Sequence, residues 1–150
     1  MSEPRAPEPL EGSESDERRR STVAEISREM VRIYKEQFGR GPTKSRTDFA
    51  SPDIVVCTLE HSLTPAEARL AELGEHQRLR DTRLFFQHAT KKEFCAVIER
   101  ILGRRVRAFV SGLDTEEDVS TELFYLEATP AAANADTDGA GDGGALRGLG

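Results

Sequence analysis

The sequence predicts an α+β fold of order αββααββ, in which helices pack on one face of a four-stranded, mainly antiparallel sheet. Two observations predict the sheet: strand-like runs come in two consecutive pairs, and a short polar turn separates the members of each pair. A third predicts the helices, because apolar residues spaced by three and four precede the first pair and separate it from the second. Single strands and helices do not alternate, which excludes a parallel βαβ fold.

The chain divides into a core and two polar ends. At 150 residues it has room for one domain, which we assign to residues 21–128. Residues 1–20 are acidic and proline-rich, and residues 129–150 are rich in Ala, Gly and Asp. Neither end carries enough apolar side chains to offset the entropy of ordering, so both are predicted to be disordered. The run Arg18–Arg20 is interpreted as a solvated segment, with a basic patch for acidic partners as the alternative.

The charge balance and hydropathy exclude several classes of protein. A net charge of -6 argues against a nucleic-acid binder. No apolar stretch has the length of a membrane span and the N-terminus lacks the pattern of a signal peptide, so the chain is expected to be cytoplasmic. Cys57 and Cys95 form no CxxC motif. We interpret them as buried apolar residues in a reducing compartment, with a redox role as the alternative.

A capping box marks the predicted start of the first helix. Thr22 is the expected N-cap, and the Glu25 carboxylate can bond back to its amide. The helix carries one apolar stripe, formed by Val23, Ile26, Met30, Ile33, Tyr34 and Phe38. Gly39 and Pro42 end it, because glycine accepts the left-handed conformation of a C-cap and proline cannot continue a helix.

The candidate contact site for a ligand or partner follows this helix. It consists of Gly39, Arg40, Gly41, Pro42 and Arg46. Arg40 is interpreted as a charge offered to the negative end of the helix dipole. In the alternative, Arg40 and Arg46 bind a small anion. The glycines do not form a phosphate-binding loop, since such a loop follows a strand and opens a helix.

Two strands then form the first predicted hairpin. A polar strand spans residues 43–49 and an apolar strand spans residues 54–60, with a Ser-Pro-Asp turn between them. Both sides of the second strand are largely apolar, so neither is adapted to water. One face of the sheet should contact the helices, and the other is a candidate surface for a partner chain or a homodimer.

Residues 63–67, Leu-Thr-Pro-Ala-Glu, are the strongest local signal of the chain. Thr64 is the expected N-cap of a second helix, Pro65 takes the first helical position, and Glu67 completes a capping box. This pattern predicts a short helix that ends near residue 73.

A longer helical region and a second hairpin complete the predicted domain. After Gly74, the region 75–102 is predicted to be helical with a kink near residues 88–90. Its apolar stripe is formed by Leu79, Phe86, Phe94, Val97, Ile98 and Ile101. The second hairpin has strands over residues 105–111 and 119–127.

No set of residues has the spacing of a known reactive site, so we assign no catalytic residue, no metal and no cofactor, and do not expect an enzyme. The three histidines lack the spacing of a zinc site. Alternating polar residues over 114–122 match a calcium loop poorly and are interpreted as a hairpin tip. Glu67 and Glu122 are interpreted as a helix cap and a strand-face charge, with a paired acid and base as the alternative.

A series of motifs runs through the core in a specific order. They are Phe38-Gly39-Arg40-Gly41-Pro42, Arg46, Leu59, Leu63-Thr64-Pro65-Ala66-Glu67, Phe86-Gln87, Phe94, Val97-Ile98-Glu99, Gly103-Arg104-Arg105-Val106 and the strand over 119–127. In this order and spacing they resemble the MpsC-type family, formerly a domain of unknown function. The resemblance covers residues 22–127 and neither end. Position 61, a histidine here, more often carries glycine in that family.

The resemblance implies an accessory component of a sodium-translocating, membrane-potential-generating system. The other members of that system are membrane proteins, also connected with inorganic carbon uptake. The family brings no catalytic residues with it. Because a chain without a membrane span cannot itself translocate an ion, the implied role is to dock at the cytoplasmic side of the membrane subunits or to regulate them. The alternative is a signalling domain that senses a small anion through Arg40 and Arg46, and an enzyme comes third.

Overall fold

The computed structural model describes residues 11–128, which form four helices and one four-stranded sheet. The elements are α1 (Glu11–Phe38), β1 (Lys44–Ser51), β2 (Ile54–Glu60), α2 (Pro65–Glu72), α3 (His76–Ala89), α4 (Lys91–Leu102), β3 (Val106–Asp114) and β4 (Val119–Leu126). This arrangement confirms the predicted α+β class and both hairpins. It adds one helix to the predicted order, which becomes αββαααββ.

The sheet is antiparallel throughout the described chain, with strand order β1-β2-β4-β3. Each hairpin pairs its own strands, and β2 pairs with β4, so the two hairpins meet at the centre of the sheet. Val55 lies opposite Phe124, and Cys57 lies opposite Glu122. Because side chains alternate along a strand, these four share the face that the helices cover.

The core lies between this face and helices α1 and α4. Its buried residues are Ile26, Met30, Ile33, Tyr34, Val55, Cys57, Leu59, Phe94, Val97, Ile98, Phe124 and Leu126. The predicted stripe of α1 is confirmed at Ile26, Met30, Ile33 and Tyr34. Each fully buried large apolar side chain contributes about 1.5–3 kcal/mol to the free energy of unfolding.

The predicted start of the first helix is wrong. Helix α1 begins at Glu11 and not at Thr22, so Thr22 and Glu25 form no capping box. The Thr22 hydroxyl donates instead to the carbonyl of Arg18, 2.8 Å away, and Glu25 lies 3.6 Å from Arg100. Extending a helix that is already anchored adds one hydrogen bond per residue, which makes the polar residues 11–21 helical as well. Residues 1–10 and 129–150 lie outside the described chain.

The predicted long helix is also wrong, because residues 75–102 form two helices. Helix α3 ends at Ala89 and α4 begins at Lys91. The break at Thr90 falls inside the predicted kink. The Thr90 hydroxyl donates to the carbonyl of Phe86 (2.8 Å) and accepts from the side-chain amide of Gln37 (2.6 Å), so contacts with α1 fix the break.

Within residues 11–128, two residues other than glycine have left-handed backbones, and they contact each other. His61 has φ 59° and Asp118 has φ 54°. The His61 amide donates to the carbonyl of Asp118 (3.0 Å), and the Asp118 carboxylate accepts from the amides of Ser62 and Leu63. Residues with a side chain rarely adopt such a backbone, and here these hydrogen bonds hold it in place. Asp118 therefore organises a turn.

Candidate functional site

A buried polar cluster joins the helices to the sheet. We use this name for Tyr34, Glu67, Arg83, Gln87 and Glu122. Arg83 is the most unusual member, since a charged side chain only 2% exposed requires partners. Its Nε donates to Glu67 Oε2 (2.5 Å), and its Nη2 donates to Glu67 Oε1 (2.8 Å). The paired guanidinium and carboxylate groups neutralise each other inside the protein.

The Arg83 guanidinium makes two further contacts. Its Nη2 donates to the carbonyl of Ser62 (2.9 Å), which follows strand β2. Its central carbon lies 3.7 Å from the centre of the Phe38 ring, at the end of α1. A cation over an aromatic face is attracted to it, most strongly where water is excluded. One side chain of α3 thus holds α1, α2 and the end of β2.

The capping box of α2 positions Glu67 for this contact. Thr64 Oγ1 accepts from the Glu67 amide (3.3 Å) and Glu67 Oε1 accepts from the Thr64 amide (3.0 Å), as the sequence predicts. Pro65 occupies the first turn, also as predicted. Burial raises the pKa of Glu67, but the hydrogen bonds from Arg83 and Thr64 outweigh burial and leave its pKa below the usual value. Glu67 is therefore a charged cap and ion-pair partner.

Glu122 forms the other half of the cluster and has the opposite character. It lies on β4 and is fully buried. Its Oε1 accepts from the Tyr34 hydroxyl (2.5 Å) and from Gln87 Nε2 (2.6 Å), and Gln87 Nε2 also contacts the Tyr34 oxygen at 2.9 Å. Burial raises the pKa of Glu122 to about 7, and the hydrogen bond from Tyr34 opposes this rise. Glu122 can therefore hold a proton near neutral pH.

The alternative prediction, that Glu67 and Glu122 form a paired acid and base, agrees with the structure only in part. Both carboxylates belong to one cluster, but Glu67 bonds to Arg83, whereas Glu122 bonds to Tyr34 and Gln87. One histidine, His76, is engaged elsewhere, since its Nδ1 lies 2.7 Å from Thr115 Oγ1. The cluster can bind a proton at Glu122, and its hydrogen bonds hold α1, α2, α3 and β4 together.

Several polar atoms of the cluster are buried without a partner. They are Ser62 Oγ, Arg83 Nη1, Gln87 Oε1 and Glu122 Oε2. Such atoms destabilise a fold, by about 1–3 kcal/mol each. The cluster is therefore more polar than the core needs for packing alone.

The opposite face of the sheet carries an apolar patch at one end and polar residues at the other, and no helix of the described chain packs on it. We call it the outer face. Its apolar residues lie in two rows across β2, β4 and β3, namely Ile54, Tyr125 and Ala108, then Val56, Leu123 and Val110. Val110 is 49% exposed. The prediction that both sides of β2 avoid water agrees with this arrangement.

The residues predicted as a ligand or partner contact fall in two places. Gly39 has φ 74° and its amide donates to the carbonyl of Lys35 (2.9 Å), so it ends α1 as predicted. Gly41 packs closely on α1, where an added Cβ would lie 3.3 Å from Val31 Cγ1. Pro42 follows in the turn before β1. Arg40 is exposed in this segment.

Arg46 is separated from that turn, because its side chain lies on the outer face of the sheet. Its Nε is 2.6 Å from Asp48 Oδ2, and both side chains are largely exposed. An exposed ion pair of this kind contributes little to stability. The structure gives Arg46 a partner on its own strand, and the proposed joint anion site with Arg40 stays a prediction.

The other candidate sites have structural roles. The Asp114 carboxylate accepts from the amides of Glu116 and Glu117, which makes the polar stretch a turn of the β3–β4 hairpin. Residues 11–128 contain no cluster of three potential metal ligands. Cys57 is buried and burial raises its pKa to about 12, so its thiol stays protonated and unreactive.

Sequence reasoning missed Tyr34, Arg83 and Gln87 as members of one site. Leu79, Arg83 and Gln87 are the buried residues of α3 and follow a spacing of four. The predicted stripe instead included Phe86, which is 42% exposed. A search for apolar residues passes over buried polar ones, and only the regular spacing from Leu79 signals them.

The family comparison decides the identity of the core. Residues 18–128 match the MpsC family, described as "Na+-translocating membrane potential-generating system (MpsC)". The chain belongs to the MpsC family. The resemblance noted in the sequence is thereby confirmed. No curated protein and no solved structure matches the chain.

The MpsC match covers every member of the buried polar cluster and the whole outer face. The family name places the chain in a system with several components. Among the helices of residues 11–128, none combines the length and apolar character needed to cross a bilayer.

Proposed function

We propose that the chain is a non-catalytic accessory or regulatory component of a sodium-translocating, membrane-potential-generating system. It acts at the cytoplasmic side through protein contacts with the membrane subunits. The family description supports the link with that system. The observation that carries the contact role is an exposed aromatic pair on α3, Phe85 and Phe86, which we call the aromatic pair.

The aromatic pair is built to present one ring to a partner. Phe85 is 70% exposed and Phe86 is 42% exposed. The Phe86 ring is held from behind, since it packs edge-on against Phe38 with 6.0 Å between ring centres, and Gln37 Nε2 donates to its carbonyl (2.7 Å). The Phe85 ring packs on Phe86 at 5.8 Å. A rigid aromatic side chain on a supported base is typical of the residues that dominate binding at interfaces.

The buried polar cluster supports a role without catalysis. Its ionisable groups are Glu67, Arg83 and Glu122, and the last two are almost fully buried. Their hydrogen bonds are made within the cluster and to the backbone of the same domain. A general acid or base must lie within hydrogen-bond reach of the group that reacts, so the burial of Glu122 supports a role other than catalysis.

Membrane co-sedimentation tests the proposed function. Membranes that contain the membrane subunits of the system should retain the wild-type chain in mild detergent, and membranes without them should not. Phe85→Ser should lower retention at least about tenfold, the loss expected of one aromatic hot spot. Leu73→Ser is the matched control, because Leu73 is a large apolar residue of similar exposure (61%) at the end of α2. No retention of the wild type would contradict the accessory role, and full retention of the Phe85 variant would contradict the α3 contact.

A second candidate function, sensing of a small anionic ligand, is favoured by a hollow beside α1. Arg18 and Arg19 line this cavity of about 660 Å³ together with Phe49, and the Arg19 guanidinium lies 5.1 Å from the centre of the Phe49 ring. Two guanidinium groups in one hollow attract carboxylates or phosphates. The position of Arg18 and Arg19 in this hollow supports the alternative interpretation of Arg18–Arg20 as a basic patch for acidic partners.

Thermal-shift measurements with phosphate and small dicarboxylates test the sensor. The anion should raise the unfolding temperature of the wild type and have at most half that effect on Arg19→Gln. Arg78→Gln, an exposed arginine on α3, serves as the control. Equal shifts in all three proteins would contradict a site at Arg19.

A further inference from the structure

We infer that the outer face binds a second copy of the same chain, face to face, about a two-fold axis parallel to the strands. This inference does not depend on the proposed function, because self-association is measured on the chain alone. The residues of the outer face are arranged so that the face is complementary to itself.

The axis follows from the strand order. With order β1-β2-β4-β3, a two-fold axis along the strands lays β2 of one copy over β4 of the other and β1 over β3. Residues in one row of the sheet then oppose residues of the same row. Ile54 of one copy opposes Tyr125 of the other, and Val56 opposes Leu123. The apolar rows therefore contact apolar rows.

The charged edges also match under this symmetry. The Arg107 guanidinium lies over the Tyr125 ring (5.5 Å), which places it on the outer face at the β3 edge. At the opposite edge, β1 carries Asp48, which is paired in register with Val56. Laying β1 over β3 puts Asp48 of one copy opposite Val110 of the other, twice per dimer. Arg107 lies one row away, about 7 Å along the strand, and its long side chain can span that distance to the Asp48 carboxylate. Opposite charges at the rim of an apolar contact favour one orientation of the partners over others.

A third pair of positions removes a steric obstacle. Arg46 lies in the row of Thr58, Thr121 and Gly112. In the proposed dimer, the long Arg46 side chain faces Gly112 of the other copy, which has no side chain. In the next row Lys44 opposes Asp114, another pair of opposite charge. On β3 of the other copy, Arg46 thus meets space and Lys44 meets an opposite charge.

The size of the face suits a dimer. Four strands spaced about 4.8 Å, each contributing about seven residues of 3.3 Å, give a plan area of about 450 Å². Side chains that stand on the sheet increase the accessible area of the contact beyond this value. A stable interface buries about 800 Å² per partner, so the whole outer face is needed and no part is left for another chain.

Sedimentation equilibrium of the full chain tests the inference, between about 5 and 300 μM. The wild type should form dimers. Val110→Glu should weaken the dimer at least about tenfold, because it puts a carboxylate within the apolar rows. Val110 is half exposed, so the substitution leaves the core intact. A wild type that stays monomeric, or a dimer unaffected by Val110→Glu, would overturn the inference.

A charge exchange tests the orientation. Asp48→Lys and Arg107→Glu should each weaken the dimer about tenfold, because each places like charges at both rims, and the double variant should recover to within about threefold of the wild type. Lys92→Glu, an exposed charge reversal on α4, is the control and should have no effect. Failure of the double variant to recover would overturn the two-fold arrangement. Asp114 is left unchanged since it caps the β3–β4 turn.

Discussion

At the scale of single residues, the environment gives two glutamates of one cluster opposite properties. Glu67 lies against Arg83 and has a lowered pKa. Glu122 lies behind Tyr34 and Gln87 and has a raised pKa. Burial raises the pKa of both, and Glu122 is the more completely buried of the two. The guanidinium also bonds directly to Glu67 and lowers its pKa, whereas Glu122 receives hydrogen bonds from neutral donors only.

Glu122→Gln should remove a pH dependence of stability. Native Glu122 has a pKa of about 7 against 4.5 for a free glutamate, so the native state keeps a proton that the unfolded chain releases. The protonated Glu122 therefore adds about 3 kcal/mol to the free energy of unfolding below pH 4.5, and this contribution is lost as pH rises towards 7. Glutamine keeps the acceptor for Tyr34 and cannot ionise. Urea unfolding at pH 5 and pH 8 should show a smaller loss in the variant.

Comparing the pH dependence of stability between the wild type and Glu122→Gln isolates the contribution of this carboxylate. Histidines and surface carboxylates titrate in both proteins, so their effects cancel in the difference. The control is Glu116→Gln, an exposed glutamate in the β3–β4 turn. Equal pH dependence of the wild type and Glu122→Gln would show that Glu122 is ionised in the native state throughout this range.

At the scale of elements, local chemistry predicted the ends of some helices and not of others. The capping box of α2 and the left-handed Gly39 were predicted correctly, because these signals act within four residues. The same pattern at Thr22 failed, since a capping box competes with continuation of the helix, and continuation wins where polar helix-forming residues precede it. The two segments also differ inside the box, since Pro65 follows Thr64 whereas Val23 follows Thr22. Proline is accepted in the first turn of a helix but not in its interior, so the helix cannot continue upstream of Pro65 as it does upstream of Val23.

A matched pair of substitutions tests this explanation. Thr64→Ala should lower the free energy of unfolding by about 1 kcal/mol, the usual cost of losing an N-cap. Thr22→Ala should change it by less than about 0.5 kcal/mol, because Thr22 lies inside α1 and alanine favours a helix more than threonine does. Urea denaturation measures both. A cost at Thr22 equal to that at Thr64 would mean that α1 begins near Thr22 in solution.

At the scale of the whole molecule, convergence of distant residues was the feature that the sequence could not predict. Periodicity found the core of α1, because every apolar residue obeys the same rule of burial. The contact of Arg83 with Glu67 and Phe38 joins three elements, and its energy depends on positions that exist only after folding. The outer face was predicted in part, since its apolar residues on β2 alternate, while the matching rows on β3 and β4 required the strand order.

The last prediction concerns the residue that joins these elements, Arg83. Arg83→Met should destabilise the protein by about 3 kcal/mol, because it leaves the partly buried Glu67 carboxylate without a counter-ion, and the partial exposure of Glu67 keeps the cost at the low end of the range for buried pairs. Arg78→Met on the same helix is the control. Arg78 is largely exposed and lies 3.8 Å from Glu75, so its loss should cost less than about 0.5 kcal/mol. Adding Glu67→Gln to Arg83→Met should recover part of the loss in urea unfolding, since it removes the unpaired charge. If the double variant were as unstable as the sum of the single ones, the two side chains would not be coupled and Arg83 would not link α2 to α3.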